Sequence, residues 1–140
     1  MSVFWQSMFK KILGWVDPLD VITAHVHWVA GGISPNNLPI FTADIPVTIT
    51  SIIGRVEVPS VKPARLTLVK VVNGEAMTTG AVLSPTVFDA AGLPNSNQVL
   101  ELTENTSVLD LDVGDSIGVQ TSGVWVLAAG GITVHMMPAV

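Results

Sequence analysis

The spacing of apolar residues changes once along the chain, close to its N-terminus. In residues 2–16 apolar side chains recur three and four positions apart, which predicts a short amphipathic helix. Asp17 precedes Pro18, and a residue before proline is disfavoured in the helical region, so the helix should end there. We therefore predict a helical unit over residues 1–18 and a β unit over residues 19–140.

Beyond this helix apolar and polar positions alternate, which is the period of a half-buried β-strand. Eight or nine such stretches follow one another, with turn-forming residues about every ten positions. Asn73-Gly74 is the strongest hairpin signal, and residues 76–83 are the expected partner strand. A slip of the apolar frame near Ser51 predicts a β-bulge, and Gly130-Gly131 is expected to separate the last two strands.

These stretches predict an all-β sandwich or barrel, since no helical pattern interrupts them. Residues 108–113 are expected to form one strand whose inward side chains include Val113. The predicted core consists of apolar residues that share the inward frame of their strands: Ile22, Val26, Leu66, Leu68, Leu100, Leu102, Leu109, Leu111, Ile117, Val119, Ile132 and Val134.

Charge is scarce and mostly negative. Charged residues make up 12% of the chain, about half the usual share, which predicts that other copies or a partner cover part of the surface. The net charge of −5 leaves no basic patch for a phosphate backbone, so we expect no nucleic-acid partner. The absence of cysteine excludes disulfides and thiolate metal sites.

The last residues of the chain raise the question of a membrane span. The stretch Val124–Val140 is 17 residues long and carries no formal charge, which is at the short limit for spanning. Gly130-Gly131, His135 and Pro138 interrupt it, so we expect neither a span nor a membrane partner.

His25 and His27 are the first candidates for metal chemistry. Residues two apart on a strand point to the same face, so both imidazoles are placed to bind one ion. A cupin-type site also needs a glutamate a few residues downstream, and here the next acidic residue is Asp44. His135 lies on another strand, and nothing in the sequence brings it near. We therefore expect no metal site and no cofactor.

Asp110, Asp112 and Asp115 form the second candidate cluster. Their spacing is typical of the start of a calcium loop, but such a loop needs glycine where Asp115 stands and glutamate where Thr121 stands. A solvated strand face and a capped turn account for these residues. A weak calcium ion between subunits is the alternative that the spacing leaves open.

No arrangement typical of nucleophilic catalysis is present. The chain has no cysteine, no Gly-x-Ser-x-Gly motif and no phosphate-binding glycine loop. A pair of glycosidase carboxylates depends on spatial separation and is left open. We expect no catalytic residue and no enzymatic activity, and we assign Trp28 and Trp125 to the core or an interface as readily as to a ligand platform.

One segment, residues 109–119, resembles a known family of proteins. Its sequence is Leu-Asp-Leu-Asp-Val-Gly-Asp-Ser-Ile-Gly-Val. It resembles the segment of small trimeric jelly rolls in which a leucine is followed by Val-Gly-Asp and a short apolar strand, as in tumour-necrosis-factor and C1q-like domains and many bacteriophage decoration and fibre modules. Residues 65–80, Phe88-Asp89, residues 98–103 and the ending at residues 131–138 are more similar to the phage proteins. The resemblance covers roughly residues 45–138.

This resemblance implies an eight-stranded antiparallel jelly-roll β-sandwich that assembles as a homotrimer in a virion. We expect a structural virion protein, a capsid decoration or vertex-associated subunit, whose other partners are virion proteins such as the major capsid or portal and vertex proteins. A receptor- or glycan-binding fibre or tail module is the second hypothesis, and a metal-dependent cupin-type enzyme is the third.

The N-terminal helix is the expected docking element of this subunit. A helix this short is marginal alone in water and has to pack on something to persist. A sandwich closed by its own two sheets has little core left to receive it. We therefore expect partner docking through the apolar side chains of the helix: Phe4, Trp5, Met8, Phe9, Ile12, Leu13 and Trp15.

Overall fold

The alternating segments pair into two antiparallel sheets in a computed structural model, which describes residues 21–32 and 34–139. The predicted helix over residues 1–18 and its seven docking side chains lie outside these residues. The strands are β1 (Ile22–Trp28), β2 (Leu38–Thr42), β3 (Val47–Val58), β4 (Ala64–Val71), β5 (Ala81–Val82), β6 (Phe88–Asp89), β7 (Ser96–Leu100), β8 (Asp110–Leu111), β9 (Ser116–Gly123) and β10 (Ala129–Pro138).

The strand order is that of a jelly roll. Sheet A has the order β1-β10-β3-β7 with β8 also on β3, and sheet B has the order β2-β9-β4-β5 with β6 also on β4. The short strands β5 and β6 share one edge of sheet B, and β7 and β8 share one edge of sheet A. If each pair counts as one interrupted strand, two four-stranded sheets remain, and the predicted eight-stranded jelly-roll sandwich is confirmed.

The core between the sheets matches the predicted one closely. Ten of the twelve predicted residues are buried, and Ile22 and Leu102 are partly buried against the same cluster. Phe88 is fully buried near its centre, with its ring 5.6 Å from that of Trp28. A Cβ on Gly54 would lie 2.3 Å from the Phe88 ring, so glycine at this position makes room for the phenylalanine.

The predicted bulge in β3 is confirmed. Ile49 pairs with Met136 and Ser51 pairs with His135, so Thr50 has no partner residue on β10. The extra residue shifts the frame, and Ile49 and Ile52 are therefore both buried although they are three residues apart.

The expectation for residues 108–113 was wrong in part. Thr106–Leu109 forms a short helix, α1, and only Asp110–Leu111 forms a strand. Leu109 and Leu111 are buried as predicted, but Val113 is 59% exposed. The chain turns after Leu111, and Gly114 adopts a φ of 92° there, so Val113 falls in the turn instead of the strand.

Gly130-Gly131 does not separate two strands but lies inside β10. Gly130 pairs with Trp28 on one side and Val56 on the other. A Cβ on Gly130 would lie 2.4 Å from the carbonyl oxygen of Arg55, so the strands approach too closely there for any other residue. The segment after Val124 is thus loop and strand, and no helix of the described residues has the length and apolarity to span a bilayer.

The Asn73-Gly74 signal marks a turn but not a tight hairpin. Glu75 donates its N–H to the carbonyl of Val72, and Gly74 has a φ of 92°. The strands on either side pair only at Val69–Val82 and Lys70–Ala81. The chain between them crosses the outer face of sheet B, where the Gln120 amide donates to the carbonyl oxygen of Met77 at 2.8 Å.

Candidate interaction surfaces

Four loops meet at one end of the sandwich, which we call the loop end. They are residues 29–32 with 34–37 after β1, 59–63 after β3, 90–95 after β6 and 124–128 after β9. Backbone hydrogen bonds tie three of them together: Val61 donates to Val126, Val124 donates to Pro63 and Ser60 donates to Ala90, at 2.9–3.0 Å. The loop after β1 adjoins the loop after β9, because Val29 and Leu127 line the same small cleft. The loops therefore form one continuous surface.

Large aliphatic side chains crowd this surface. Each is between 47% and 77% exposed, and the set is Val29, Val58, Val61, Leu93, Val124 and Leu127. Sequence reasoning missed this cluster because five of its members come from separate loops outside the alternating stretches, and the sixth, Val58, is the last residue of β3. The only available signal was that a valine or leucine recurs inside otherwise turn-rich segments.

Trp125 lies beneath these side chains. Its ring is half-buried and meets Trp28 edge to face at 5.2 Å between centroids. Its indole N–H donates to the carbonyl oxygen of Ser122 at 3.3 Å. Leu127, two residues further on, has a φ of 56°, a left-handed conformation that is uncommon for a residue other than glycine.

The opposite end of the sandwich, which we call the acidic end, carries most of the negative charge. Seven carboxylates of residues 21–32 and 34–139 belong to it: Asp44, Glu75, Glu101, Glu104, Asp110, Asp112 and Asp115. Lys70 is the one basic residue that reaches it from the described strands. The chain also enters the sandwich at this end, because Ile22 pairs with Met136 beside the bulge of β3.

Asp115 holds the turn between β8 and β9. It is buried, and its two carboxylate oxygens accept the backbone N–H groups of Asn73 and Asp112 at 3.2 and 3.0 Å. Asp110 instead accepts the Thr48 hydroxyl at 2.8 Å and, like Asp112, is exposed. The predicted capped turn is confirmed.

The three histidines share the outer face of sheet A. The register places His25 opposite Thr133 and Thr23 opposite His135, so all three side chains point away from the core. The rings of His25 and His27 are stacked at 5.9 Å, while His135 Nδ1 lies 3.1 Å from the Ser51 hydroxyl. Within the described residues, no three histidine, aspartate or glutamate side chains converge as metal ligands would.

A shallow groove of about 390 Å³ runs beside the first two histidines. Gly131 lies in its floor, since the missing side chain leaves space next to His27, and Arg55, Glu57 and Asn97 lie along its other wall. Arg55 is already paired with Glu57 and reaches Asn97 at 3.4 Å. The groove therefore has polar walls without an unsatisfied charge.

No protein-family model and no curated protein matches the chain. A solved structure described as the capsid of Ralstonia phage GP4 is similar with a TM-score of 0.48 and 9% sequence identity, over 89% of this chain and 88% of that chain.

Proposed function

We propose that the protein is a structural subunit of a virion, a capsid decoration or vertex-associated protein that docks through residues 1–16. The observation that carries the proposal is that residues 21–139 already close a complete core. Phe88, Ile52 and Leu66 are fully buried between the two sheets. We propose that the seven apolar side chains of the N-terminal segment pack on a partner instead of on this core.

The composition and the sequence resemblance support the same role. With charged residues at 12%, a lone subunit is poorly protected against association, as expected of a chain that functions within an assembly. Residues 109–119 resemble phage decoration and fibre modules, and these residues form the turn that Asp115 holds. We propose that the subunit is a homotrimer and that its other partners are virion proteins.

Deletion of residues 1–16 tests the docking role. The truncated chain should keep its β-sheet circular dichroism spectrum and cooperative unfolding, because the core is complete without the segment, and it should no longer copurify with particles. The measurement is the ratio of this chain to the major particle protein after gradient purification, with wild-type chain as reference.

Point variants separate docking from a general effect of the deletion. Replacing Phe4, Trp5 and Phe9 with serine should abolish incorporation, whereas replacing the polar Gln6 and Ser7 with alanine should leave it unchanged. Incorporation of the deleted chain at full occupancy, or failure of that chain to fold, would refute the proposed role of the segment.

A further inference from the structure

We propose that the loop end is a lipid-binding surface, in which the exposed aliphatic side chains enter an anionic bilayer surface and Lys62 and Arg65 contact its headgroups. This role goes beyond the proposed function, replaces the sequence-based expectation of no membrane partner, and uses the end of the sandwich opposite to the one at which β1 begins. The occupant is a bilayer containing acidic phospholipids.

The first argument is the density of exposed apolar surface. Val61 and Leu93 are 69% and 77% exposed, and the other four members of the cluster are at least 47% exposed. Scattered apolar side chains are normal on a protein surface, but a contiguous group of this size marks a contact with another protein or a membrane. Hydrogen bonds join the loops that carry Val61, Leu93 and Val124. Val29 lies next to this group, since it lines a cleft with Leu127.

The second argument is the distribution of charge along the strands. The half of the sandwich nearer the loop end has three cations, Arg55, Lys62 and Arg65, and two anions, Glu57 and Asp89. Among the residues that the structure describes, the acidic end has seven carboxylates and Lys70. An anionic surface therefore repels the acidic end and accepts the loop end, which orients the molecule.

Two of these cations are free to meet headgroups. Lys62 and Arg65 are exposed, and in the described part of the chain neither lies within ion-pair distance of a carboxylate. Lys62 directly follows the exposed Val61 in the loop after β3. Val61 thus inserts into the bilayer while the adjacent Lys62 contacts its headgroups.

The third argument is the backbone at Leu127. Its left-handed conformation is strained for a branched side chain and persists only where the surroundings enforce it, and such strain concentrates at functional positions. Here it holds a leucine that is 57% exposed above Trp125. An indole ring with an apolar body and a bonded N–H is suited to the boundary between hydrocarbon and headgroups.

The shape of the loop end favours a bilayer over a protein partner. Protein interfaces concentrate their energy in aromatic or arginine side chains that fill pockets. The cleft between Trp28, Trp125 and Leu127 has a volume of about 10 Å³, room for one water molecule. A bilayer is fluid, so the valines and leucines of the loop end can enter it without pockets that match their shapes.

Cosedimentation of the full chain with vesicles tests the proposal. Vesicles of phosphatidylcholine with phosphatidylglycerol should bind the protein, and pure phosphatidylcholine vesicles should bind it more weakly. Val61→Asp should lower binding roughly tenfold, since it places a charge in the inserting cluster. Val113→Asp is the matched control, because Val113 is 59% exposed at the acidic end, and it should bind like the wild type.

A second pair of variants tests the headgroup contact. Replacing Lys62 and Arg65 with glutamine should remove the preference for phosphatidylglycerol. Circular dichroism first establishes that each variant is folded. Absence of vesicle binding, or binding that Val61→Asp leaves unchanged, overturns the proposal. So does a loss of self-association in Val61→Asp without vesicle binding, which would make the loop end an interface between copies.

Discussion

Lys70 points into the acidic end of the sandwich, although lysine normally keeps its ammonium group in water. Its side chain is 15% exposed. The ammonium group donates to the carbonyl oxygens of Ser107 and Asp110 at 3.2 and 2.6 Å and lies 3.9 Å from Asp115. One residue of sheet B thereby joins α1 and β8 at the edge of sheet A.

We expect Lys70→Met to destabilise the protein by about 1–3 kcal/mol, because the carbonyls of Ser107 and Asp110 lose a charged donor and the buried Asp115 loses its nearby cation. Urea unfolding followed by fluorescence gives this free energy. Lys62→Met is the control, since Lys62 is exposed and its loss should change stability by less than about 0.5 kcal/mol. Equal effects of the two substitutions would show that Lys70 is not a link between the sheets.

Gly54 and Phe88 form a matched pair in the core. We expect Gly54→Ala to cost about 1–3 kcal/mol, because the new Cβ overlaps the Phe88 ring and the neighbouring side chain of Ile132 leaves it little room to shift. Phe88→Leu should partly relieve the overlap, so the double variant should be more stable than the sum of the two single effects predicts. A double-mutant cycle in urea measures this coupling, and strict additivity would contradict it.

At the scale of elements, Thr50 is the extra residue of the β3 bulge. The bulge lets the apolar side chains on both sides of it face the core. Without Thr50, Ile49 and Ile52 would stand two positions apart and both would still face inward. We therefore expect deletion of Thr50 to leave a folded protein that lacks only the bulge and the hydrogen bond from the Thr50 hydroxyl to His135.

Deletion of Ile53 is the contrasting case. It would turn Gly54 and Val56 outward and bring Arg55 and Glu57 toward the core. Thermal unfolding monitored by circular dichroism should show a cooperative transition for the Thr50 deletion and none for the Ile53 deletion. Unfolding of both deletions would mean that the bulge has a role beyond the frame of the strand.

At the scale of the whole molecule, we expect self-association. The proposed trimer would give a mass of about 44 kDa in light scattering, three times the 14.7 kDa of one chain. Each chain carries a net charge of −5, so salt should screen the repulsion between copies and leave the trimer intact at about 1 M NaCl. A stable 15 kDa species at micromolar concentration would rule the trimer out.

The two ends of the sandwich also give the molecule a direction. The N-terminal segment joins the acidic end, and the exposed aliphatic cluster occupies the loop end. The docking proposal concerns residues 1–16, whereas the lipid-binding proposal concerns residues of the loop end. The two proposed functions therefore use different surfaces and are tested by different variants.

Strand alternation was enough to predict the all-β class, the inward faces and the bulge of β3, because side-chain direction along a strand depends only on neighbouring residues. The same local rule failed at Val113 and at Gly130. At Val113, a turn held by Asp115 ends the strand. At Gly130, β1 and β3 approach β10 so closely that no side chain fits.

The jelly-roll strand order, the position of Lys70 and the assembly of the loop end were decided by the tertiary structure. Each depends on contacts between residues far apart in sequence, such as Val61 with Val126 and Lys70 with Ser107. A local pattern contains no information on which distant loops meet. The sequence alone therefore led to the prediction of a docking segment at residues 1–16, whereas the surface at the loop end became visible only once the four loops were brought together.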